Sequence, residues 1–358
     1  MGLTFCIYRD LTERHLNNTM NIAVYKPNNT PLSMNIYLNK ICQKLVCKGV
    51  KFTLFQDVIS LPQEVDIFWD PRLGAGGISA LNRNITNKPI ILTIHGTSLF
   101  SSRLKDNRWH YSQTLKLIRD RLIMKRTWRY FADHYNKIIT VSDFAKREIV
   151  KHLSIAENLI EAIYLAADTN LFYPLDKDDL KTNKQKPYLF HVSVYQPMKN
   201  LKRIIKAYLS IAENDNIPDF LIVAPNFPDQ INHPKIKLIT KKVTPKQVGD
   251  YMRYALAFVF PSLHESFGLP IVEAMACGLP VITSNTNACP EIAGDAALLV
   301  NPHSKNAIAD AMIKIIDDNI LRDNLSEKGL IRAGSFSWEK CADEHLSIFE
   351  NTLKKRKL

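Results

Sequence analysis

Short apolar segments of strand length alternate with segments of helical period along most of this chain, and that alternation constrains the fold more than any other feature. Strands are predicted in the first half at Met20–Tyr25, Val50–Phe55, Asp66–Trp69, Pro89–His95 and Lys137–Val141. Others follow in the second half at Tyr188–Val194, Phe220–Ala224, Ile236–Thr240, Ala255–Phe260 and Leu279–Ser284. Strands separated by helices at this spacing are typical of parallel βαβ units, so we predict an α/β fold with doubly wound sheets.

The alternation stops between Leu171 and Lys186, where Asp, Lys, Asn and Pro dominate and predict an interdomain linker. A chain of 358 residues is also long enough for two domains. We predict a first domain at 1–171 with 1–19 as an extension, a linker at 172–187, a second domain at 188–335, and a helix with a basic tail at 336–358. Ligands of doubly wound folds bind at the carboxyl ends of the strands, so the expected site is a cleft between the domains.

Local signals predict individual helix boundaries. A helix is expected at 35–47, after the first strand. Asp143 is expected to cap the helix that runs to His152, and Ser337 is expected to cap a last helix.

Composition narrows the class of protein. Apolar residues make up 46% of the chain and charged residues 23%, which is usual for a soluble globular enzyme and excludes a mainly disordered chain. Lys and Arg number 47 against 35 Asp and Glu, and the net charge of +12 indicates an anionic partner: nucleic acid, a membrane or phosphorylated substrates. No segment reaches the ~18 apolar residues that span a bilayer. No secretory signal is recognised, so a cytoplasmic location is predicted.

The segment from His264 to Pro280 is the most informative for chemistry. Gly268 permits a tight turn after a buried strand, Pro270 suits the first turn of a helix, and Gly278 suits the position just past its end. The backbone N–H groups of Phe267, Gly268 and Leu269 should therefore face the cleft. A helix N-terminus in that place predicts an anion site suited to a diphosphate.

Four side chains are candidates for chemistry at this cleft. Glu265 and Glu273 flank the turn and could bind the hydroxyls of a sugar. The alternatives are that Glu265 is a solvated acid of the loop and that Glu273 only interacts favourably with the helix dipole. Lys199 lies between a strand and a helix, where it could hold a phosphate or be a solvated loop lysine. His95 ends a strand at the cleft, and its alternative is a packed, hydrogen-bonded histidine.

No metal site and no cofactor are predicted. Asp176-Lys-Asp178 has the form Asp-x-Asp, but it lies in the polar linker rather than after a buried strand, so we discount it. The ten histidines show no spacing typical of metal ligands.

Several segments resemble the retaining family 4 glycosyltransferases of the group 1 type. The resemblance is carried by Glu265-Ser-Phe-Gly-Leu-Pro-Ile-Val-Glu273, by Ile138–Ile149, by Ala167-Asp168 with Phe172 and Pro174, by Gln196-Pro-Met-Lys-Asn200, by Pro290–Ala297 and by Phe336-Ser-Trp-Glu339. They follow the order of the family, from about Met20 to the C-terminus. The resemblance implies the GT-B fold: two Rossmann-like domains that face a cleft, with the C-terminal helix crossing back to the first domain.

The resemblance also implies an activity. A sugar would pass from a nucleoside diphosphate sugar to a glycan or lipid-linked glycan acceptor with retention, without a metal, in the synthesis of cell-surface polysaccharide or lipopolysaccharide. A mannosyltransferase is one form of this activity.

The resemblance implies roles for particular residues. Glu273 would bind the ribose hydroxyls of the donor, Glu265 the hydroxyls of the sugar, and Lys199 the diphosphate. His95 would contact the sugar near the reacting carbon, and with Glu265 and Lys199 it forms the predicted catalytic set. Backbone N–H groups for the sugar and phosphate would come from Phe267, Gly268 and Leu269.

The sequence departs from the family in two places. Val194 and Met198 stand where relatives often carry Arg, so either another basic residue such as Lys202 or Arg203 compensates at the diphosphate, or the leaving group is stabilised less. The glycine-rich turn of the first domain has no glycine in Lys26–Ser33, which leaves the acceptor side weakly matched.

Much of the positive charge lies in one segment of the first domain. Residues 103–129 contain nine Lys or Arg and two Asp, interleaved with aromatic and aliphatic residues. We predict an acceptor or membrane face there, carried by Arg103, Arg108, Arg119, Lys125 and Arg126, which would make the protein peripheral on the cytoplasmic side of a membrane. A solvated basic face is the alternative. Two other functions stay open: a non-catalytic protein that binds sugar nucleotides, and a nucleic-acid-binding protein, although no recognition module is found.

Overall fold

The computed structural model describes residues 20–74, 77–101, 111–176 and 186–355. Several predictions lie outside the described residues: the extension at 1–19, Arg103 and Arg108 of the predicted membrane face, Asp178, and 356–358 of the basic tail.

The first sheet is built from residues 21–162 and is parallel throughout. Its strands are β1 (Asn21–Tyr25), β2 (Lys51–Phe55), β3 (Ile67–Leu73), β4 (Ile90–Ile94), β5 (Lys137–Thr140) and β6 (Ile160–Ala162), in the order β2-β1-β3-β4-β5-β6. Around it lie α1 (Leu32–Val46), α2 (Ser98–Ser101), α3 (Tyr111–Phe131) and α4 (Asp143–Leu153), with 3-10 turns at Ala132–His134 and Glu157–Leu159. Strand β4 is buried along its whole length, as expected of a parallel strand covered on both faces.

The second sheet is built from residues 188–300 and is also parallel. Its strands are β7 (Tyr188–Val192), β8 (Asp219–Val223), β9 (Ile236–Ile239), β10 (Ala257–Phe260), β11 (Val281–Ser284) and β12 (Ala297–Val300), in the order β12-β11-β10-β7-β8-β9. Its helices are α5 (Leu201–Leu209), α6 (Pro245–Tyr254), α7 (Leu269–Ala276), α8 (Cys289–Ala293), α9 (Lys305–Asp317) and α10 (Asn319–Gly334), and a 3-10 turn at Pro197–Lys199 precedes α5. The last helix, α11, spans Trp338–Lys354.

Each sheet reverses its strand order at one point, between β1 and β3 in the first and between β7 and β10 in the second. The loops at the carboxyl ends of the strands diverge at such a point and leave a crevice for a ligand. His95 follows β4, Lys199 follows β7, and Glu265 follows β10, so all three lie at carboxyl ends. The predicted α/β fold with two doubly wound sheets is confirmed.

The helix α11 returns to the first sheet after the second one is complete. Cys341, Ala342 and Phe349 are buried in the same core as Trp69 and α1, and the rings of Phe349 and Trp69 are 5.4 Å apart. Lys44 on α1 forms an ion pair with Glu339 at 2.9 Å, and Lys48, just after α1, forms one with the same residue at 2.8 Å. The crossing that the family resemblance implied is therefore present.

Of the two N-cap residues predicted from the sequence, one is wrong and one is confirmed. Asp143 does not cap α4: Ser142 is the N-cap, its Oγ accepts from the Ala145 N–H at 3.0 Å, and Asp143 is the first helical residue. Ser337 caps α11 as predicted and accepts from the Lys340 N–H at 3.0 Å.

Two strands were missed from the sequence. Strand β6 has only three residues, and β12 follows Gly294-Asp295 and precedes Asn301-Pro302, which resemble a loop. The limits proposed for the domains stay a prediction.

Candidate active site

One cavity of about 290 Å³, in the cleft between the two sheets, collects most of the predicted catalytic and donor-binding residues. It is lined by His95, Val141, Leu165, Gln196, Met198, Lys199, His264, Glu265, Ser266, Phe267 and Gly268. Of the predicted catalytic and donor-binding residues, Glu273 and Leu269 are not in this lining. A larger groove of about 660 Å³, between β6 and α11, is lined by none of the predicted catalytic or donor-binding residues.

Lys199 and Glu265 form an ion pair at the floor of this cleft. The Lys199 Nζ lies 2.7 Å from Glu265 Oε1 and 5.4 Å from the centroid of the Phe260 ring. Glu265 is only 8% exposed, so the lysine compensates a carboxylate that water reaches poorly. Both groups are positioned to exchange this contact for a ligand: the ammonium for an anion and the carboxylate for hydroxyl donors.

The N-terminus of α7 points its backbone into the same cleft. Gly268 has φ +90°, a left-handed conformation, and a Cβ there would come within 2.9 Å of Ile271 Cδ1. Among the described residues, no hydrogen bond uses the backbone N–H of Phe267, Gly268 or Leu269. Helix N-termini with unpaired N–H groups favour anions.

Glu273 lies in the first turns of α7, beside the fully buried Ile271 and Val272. Burial, and after it the negative charge of Asp168, together raise the pKa of Glu273 to about 7. Asp168 is itself paired with Lys40 at 2.5 Å. No hydrogen bond among the described residues reaches the Glu273 carboxyl, so hydroxyl donors from a ligand would relieve the cost of its ionised form.

His95 is held at the opposite wall of the cleft by the first sheet. Its Nε2 donates to the Pro71 carbonyl oxygen at 2.7 Å, and its ring packs edge-on against Tyr37 with centroids 4.8 Å apart. Burial lowers the pKa of His95, so the ring is neutral at pH 7. With Nε2 as the donor, Nδ1 is the ring nitrogen that can accept a hydrogen bond.

The expected substitutes for the missing arginines do not reach the cavity. Lys202 pairs with Asp229 at 2.7 Å, and Arg203 donates to the Asn200 Oδ1 and to the Pro302 carbonyl oxygen. Of the two alternatives, compensation by Lys202 or Arg203 is therefore wrong, and weaker stabilisation of the leaving group stays a prediction. In the part of the chain that the structure describes, Lys199 is the only Lys or Arg that lines the cavity.

Contacts between the two halves close the cleft, and the sequence did not single them out. Ser142 Oγ donates to the Ser266 carbonyl oxygen at 2.5 Å, and a Cβ at Gly96 would lie only 2.1 Å from Ser266 Oγ. Glu291 on α8 accepts from the Asp143 N–H at the start of α4, at 2.8 Å. Glu291 lies in a motif that carried the family resemblance, but its partner in the first half is 148 residues away and has no local signal.

The described part of the basic segment forms α3. Its exposed large apolar residues are Leu115, Ile118, Leu122, Ile123 and Tyr130. Arg119 and Arg126 are exposed on the same helix, and Lys125 is partly exposed. No helix in the described ranges is long and apolar enough to cross a membrane. Within those ranges, no group of three His, Cys, Asp or Glu side chains could hold a metal ion.

Comparisons with known families match most of the chain. Residues 173–332 match the family described as "Glycosyl transferases group 1", and residues 62–171 match the one described as "Glycosyltransferase Family 4". The chain is 29% identical over 244 residues to the O-antigen chain mannosyltransferase B of Escherichia coli. That match covers 63% of this chain and 64% of the relative, so the chain spans just under two thirds of the relative's length.

Solved structures with the same fold are also found. The sucrose-phosphate synthase of Thermosynechococcus elongatus superposes with a TM-score of 0.72 at 17% identity, over 94% of this chain and all of that one. Anabaena HepE, solved in complex with UDP-glucose, gives a TM-score of 0.66 at 17% identity, over 92% of this chain and 99% of that one. At this identity the two likenesses establish the fold, which is GT-B.

Proposed function

Since the chain belongs to the group 1 glycosyltransferases, with the GT-B fold and a family 4-like sequence, we propose that it transfers a sugar from a nucleoside diphosphate sugar to a glycan hydroxyl with retention. The observation that carries this proposal is the meeting of Lys199, Glu265 and the N-terminus of α7 in one cleft, opposite His95. A cation, a helix N-terminus and a carboxylate at that spacing suit a diphosphate joined to a polyhydroxylated sugar.

Each group has a role in the proposed donor complex. Lys199 binds the diphosphate and leaves Glu265 free to accept from sugar hydroxyls. The N–H groups of Phe267, Gly268 and Leu269 face the phosphate and the sugar, and Glu273 accepts from the ribose hydroxyls. His95 contacts the sugar from the first domain through Nδ1.

The bond from the sugar's anomeric carbon to the diphosphate oxygen breaks as the acceptor oxygen bonds to that carbon on the same face. The acceptor proton passes to the departing phosphate oxygen, so the step needs no protein base. Negative charge grows on the diphosphate, where Lys199 and the α7 N-terminus stabilise it. The closed cleft keeps water from the same carbon. No metal or further cofactor is required in this scheme.

Mannose is the sugar that we propose, with a polysaccharide or a lipid-linked precursor of a surface glycan as the acceptor. The support is the likeness to an O-antigen mannosyltransferase across 63% of the chain. The structural likeness to HepE, solved with UDP-glucose, makes UDP-glucose the first competing donor to test.

The proposed acceptor face includes α3, and we propose that α3 holds the protein on the cytoplasmic face of an anionic membrane. Exposed Leu122 and Ile123 could enter the interface while Arg119 and Arg126 meet lipid phosphates. A lipid-linked acceptor would then be presented to the cleft from the membrane.

The test is a donor panel in EDTA. Thermal unfolding is measured with GDP-mannose, UDP-glucose and ADP-glucose, because a bound ligand raises the melting temperature by mass action. The donor that stabilises the protein is then incubated with a mannose-terminated oligosaccharide, and NMR of the product gives the anomeric configuration. We expect GDP-mannose to bind and an α-linked product to form without metal. Binding without turnover would favour a non-catalytic protein, and an inverted product would contradict retention.

A further inference from the structure

A buried hydrogen bond joins α1 to α11 directly behind His95. Tyr37 Oη lies 2.5 Å from His345 Nε2, although the two residues are 308 positions apart. His345 Nδ1 donates to the Cys341 carbonyl oxygen at 2.6 Å, so Nε2 is the acceptor and the Tyr37 hydroxyl is the donor. Burial lowers the pKa of His345 to about 4, which keeps this arrangement of protons near neutral pH.

Tyr37 transmits this contact to the cleft. Its ring stands nearly perpendicular to the His95 ring, at 89°, with centroids 4.8 Å apart. On its other side the His95 ring is held by the bond from Nε2 to the Pro71 carbonyl oxygen. The plane of the His95 ring is therefore fixed between a backbone acceptor and the Tyr37 ring.

The neighbours of Tyr37 support its hydroxyl end. Trp69 Nε1 donates to Thr93 Oγ1 at 3.0 Å, and Thr93 Oγ1 lies 3.4 Å from Tyr37 Oη. Tyr37 is 4% exposed and Thr93 and His345 are fully buried, so water does not offer these groups substitute partners. Removal of one member leaves an unsatisfied polar group in the core.

Packing alone does not account for an imidazole at position 345. The inner face of α11 also carries Cys341, Ala342 and Phe349, and an apolar residue would fill the same layer without the cost of burying two ring nitrogens. A buried polar pair of this kind fixes one arrangement of the groups it joins.

We propose that His345 is a positioning residue for sugar transfer: through Tyr37 it fixes the ring of His95 so that Nδ1 meets the sugar at the reacting carbon. The inference rests on the role of His95 in the proposed function. It gives α11 a part in the reaction, because the helix that completes the second half of the chain orients a side chain of the first.

The experiment compares substitutions at the pair with one elsewhere on α11. His345→Leu removes the acceptor at similar volume, His345→Gln retains an acceptor near Nε2, and Tyr37→Phe removes the donor. The double variant Tyr37→Phe/His345→Leu removes both polar partners, so it should regain the stability that each single variant loses. Phe349→Leu is the control, because it loosens the packing around His345, whose ring lies 6.2 Å from that of Phe349, while both hydrogen-bonding groups of the pair stay in place.

Two readouts are used: kcat and KM for GDP release from GDP-mannose, and the tautomer of His95 from long-range ¹H–¹⁵N NMR, assigned by comparison with His95→Gln. We expect His345→Leu and Tyr37→Phe to lower kcat about tenfold with KM within about twofold, since a small displacement of a reacting group affects the chemical step. The double variant should stay as slow as the singles although its stability recovers. His345→Gln should remain within about twofold of the native kcat. In His345→Leu, Tyr37 no longer fixes the His95 ring, so the ring should lose its bond to the Pro71 carbonyl oxygen and the single Nε2–H tautomer should become a mixture. The tautomer should stay unchanged in Phe349→Leu.

Several results would overturn the inference. One is a double variant that regains kcat together with stability, since that would reduce the pair to a packing role. Another is an unchanged His95 tautomer in His345→Leu. A loss of kcat in His95→Gln with a normal kcat in His345→Leu would refute this inference and leave the proposed function intact. A normal kcat in His95→Gln would refute both the inference and the role of His95 in the proposed function.

Discussion

At the residue scale, the proposed role of Glu273 would link the proton concentration to donor binding. Its pKa of about 7 lies above the ordinary value of 4.5, so the folded protein without donor takes up a proton there that the unfolded chain does not. The stability that this proton adds is complete below pH 4.5 and is lost as the pH rises through about 7. In the proposed donor complex the ribose hydroxyls donate to the ionised carboxylate, so donor binding should follow the opposite trend.

The affinity for GDP-mannose should therefore fall on acidification. For one linked proton the dissociation constant should be about tenfold higher at pH 6 than at pH 8. Titration calorimetry at several pH values measures it, and an intact sugar nucleotide is used because its diphosphate does not titrate in this range. Glu273→Gln is the control, since it should bind weakly and without this dependence. An equally steep dependence in Glu273→Gln would assign the proton to another group.

At the scale of elements, the two halves of the chain are in contact at Gly96, where a residue with a Cβ would not fit. The loop after β4 brings Gly96 against Ser266 in the loop before α7, and Ser142 before α4 holds the same Ser266 through its carbonyl oxygen. The loop that carries Glu265 thus contacts the loop that follows His95. In this arrangement the loops that join the two halves are the loops that carry His95 and Glu265.

Gly96→Ala should open the cleft without unfolding either sheet. Its Cβ would lie 2.1 Å from Ser266 Oγ, which must rotate away, and 3.0 Å from Ser266 Cβ, which must move back with its loop. We expect kcat for transfer to fall about a hundredfold, the scale on which a displacement of about 1 Å acts. Small-angle scattering should report a larger radius, and the double variant Gly96→Ala/Ser266→Gly should recover much of the lost activity. A Gly96→Ala protein with native kcat and radius would contradict this role of the contact.

The predicted binding to an anionic membrane depends on helix α3. Leu122 is 59% exposed and Ile123 53% exposed, and both lie among basic residues. Leu122→Glu with Ile123→Glu should abolish cosedimentation with vesicles of phosphatidylcholine and phosphatidylglycerol, because an anionic side chain cannot enter that interface. Ile320→Glu is the matched control, since Ile320 is 83% exposed on α10 in the other half of the chain.

The native protein should bind these vesicles more weakly in high salt and should not bind vesicles of phosphatidylcholine alone. Double-stranded DNA at equal phosphate concentration should not displace it. Displacement by DNA, or equal binding by the Leu122→Glu/Ile123→Glu variant, would favour a nucleic-acid partner or a solvated basic face instead.

At the scale of the whole molecule, the features that could be predicted from the sequence are those whose signals lie within a short segment. Period and spacing located most strands, and the turn at Gly268 predicted the N-terminus of α7 beside Glu265, because those signals are contained in short segments. The contact of Tyr37 with His345 joins residues 308 positions apart, and no local sequence pattern predicts it. The same holds for Glu291 at the start of α4. The expectation for Lys202 and Arg203 was wrong because neighbouring Asp229 and Asn200 engage these side chains.

The central claim is that the cleft between the sheets transfers a sugar from a nucleotide and that Lys199 stabilises the leaving diphosphate. The most direct test is steady-state release of GDP from GDP-mannose, in EDTA and with the mannose-terminated oligosaccharide as acceptor, by the native protein, Lys199→Ala and Lys202→Ala. Both substitutions remove one lysine, but only Lys199 lines the cavity. We predict that Lys199→Ala lowers kcat by about a hundredfold or more, as loss of one stabilising donor does elsewhere, while Lys202→Ala retains the native rate. Equal rates for Lys199→Ala and the native protein would contradict the account.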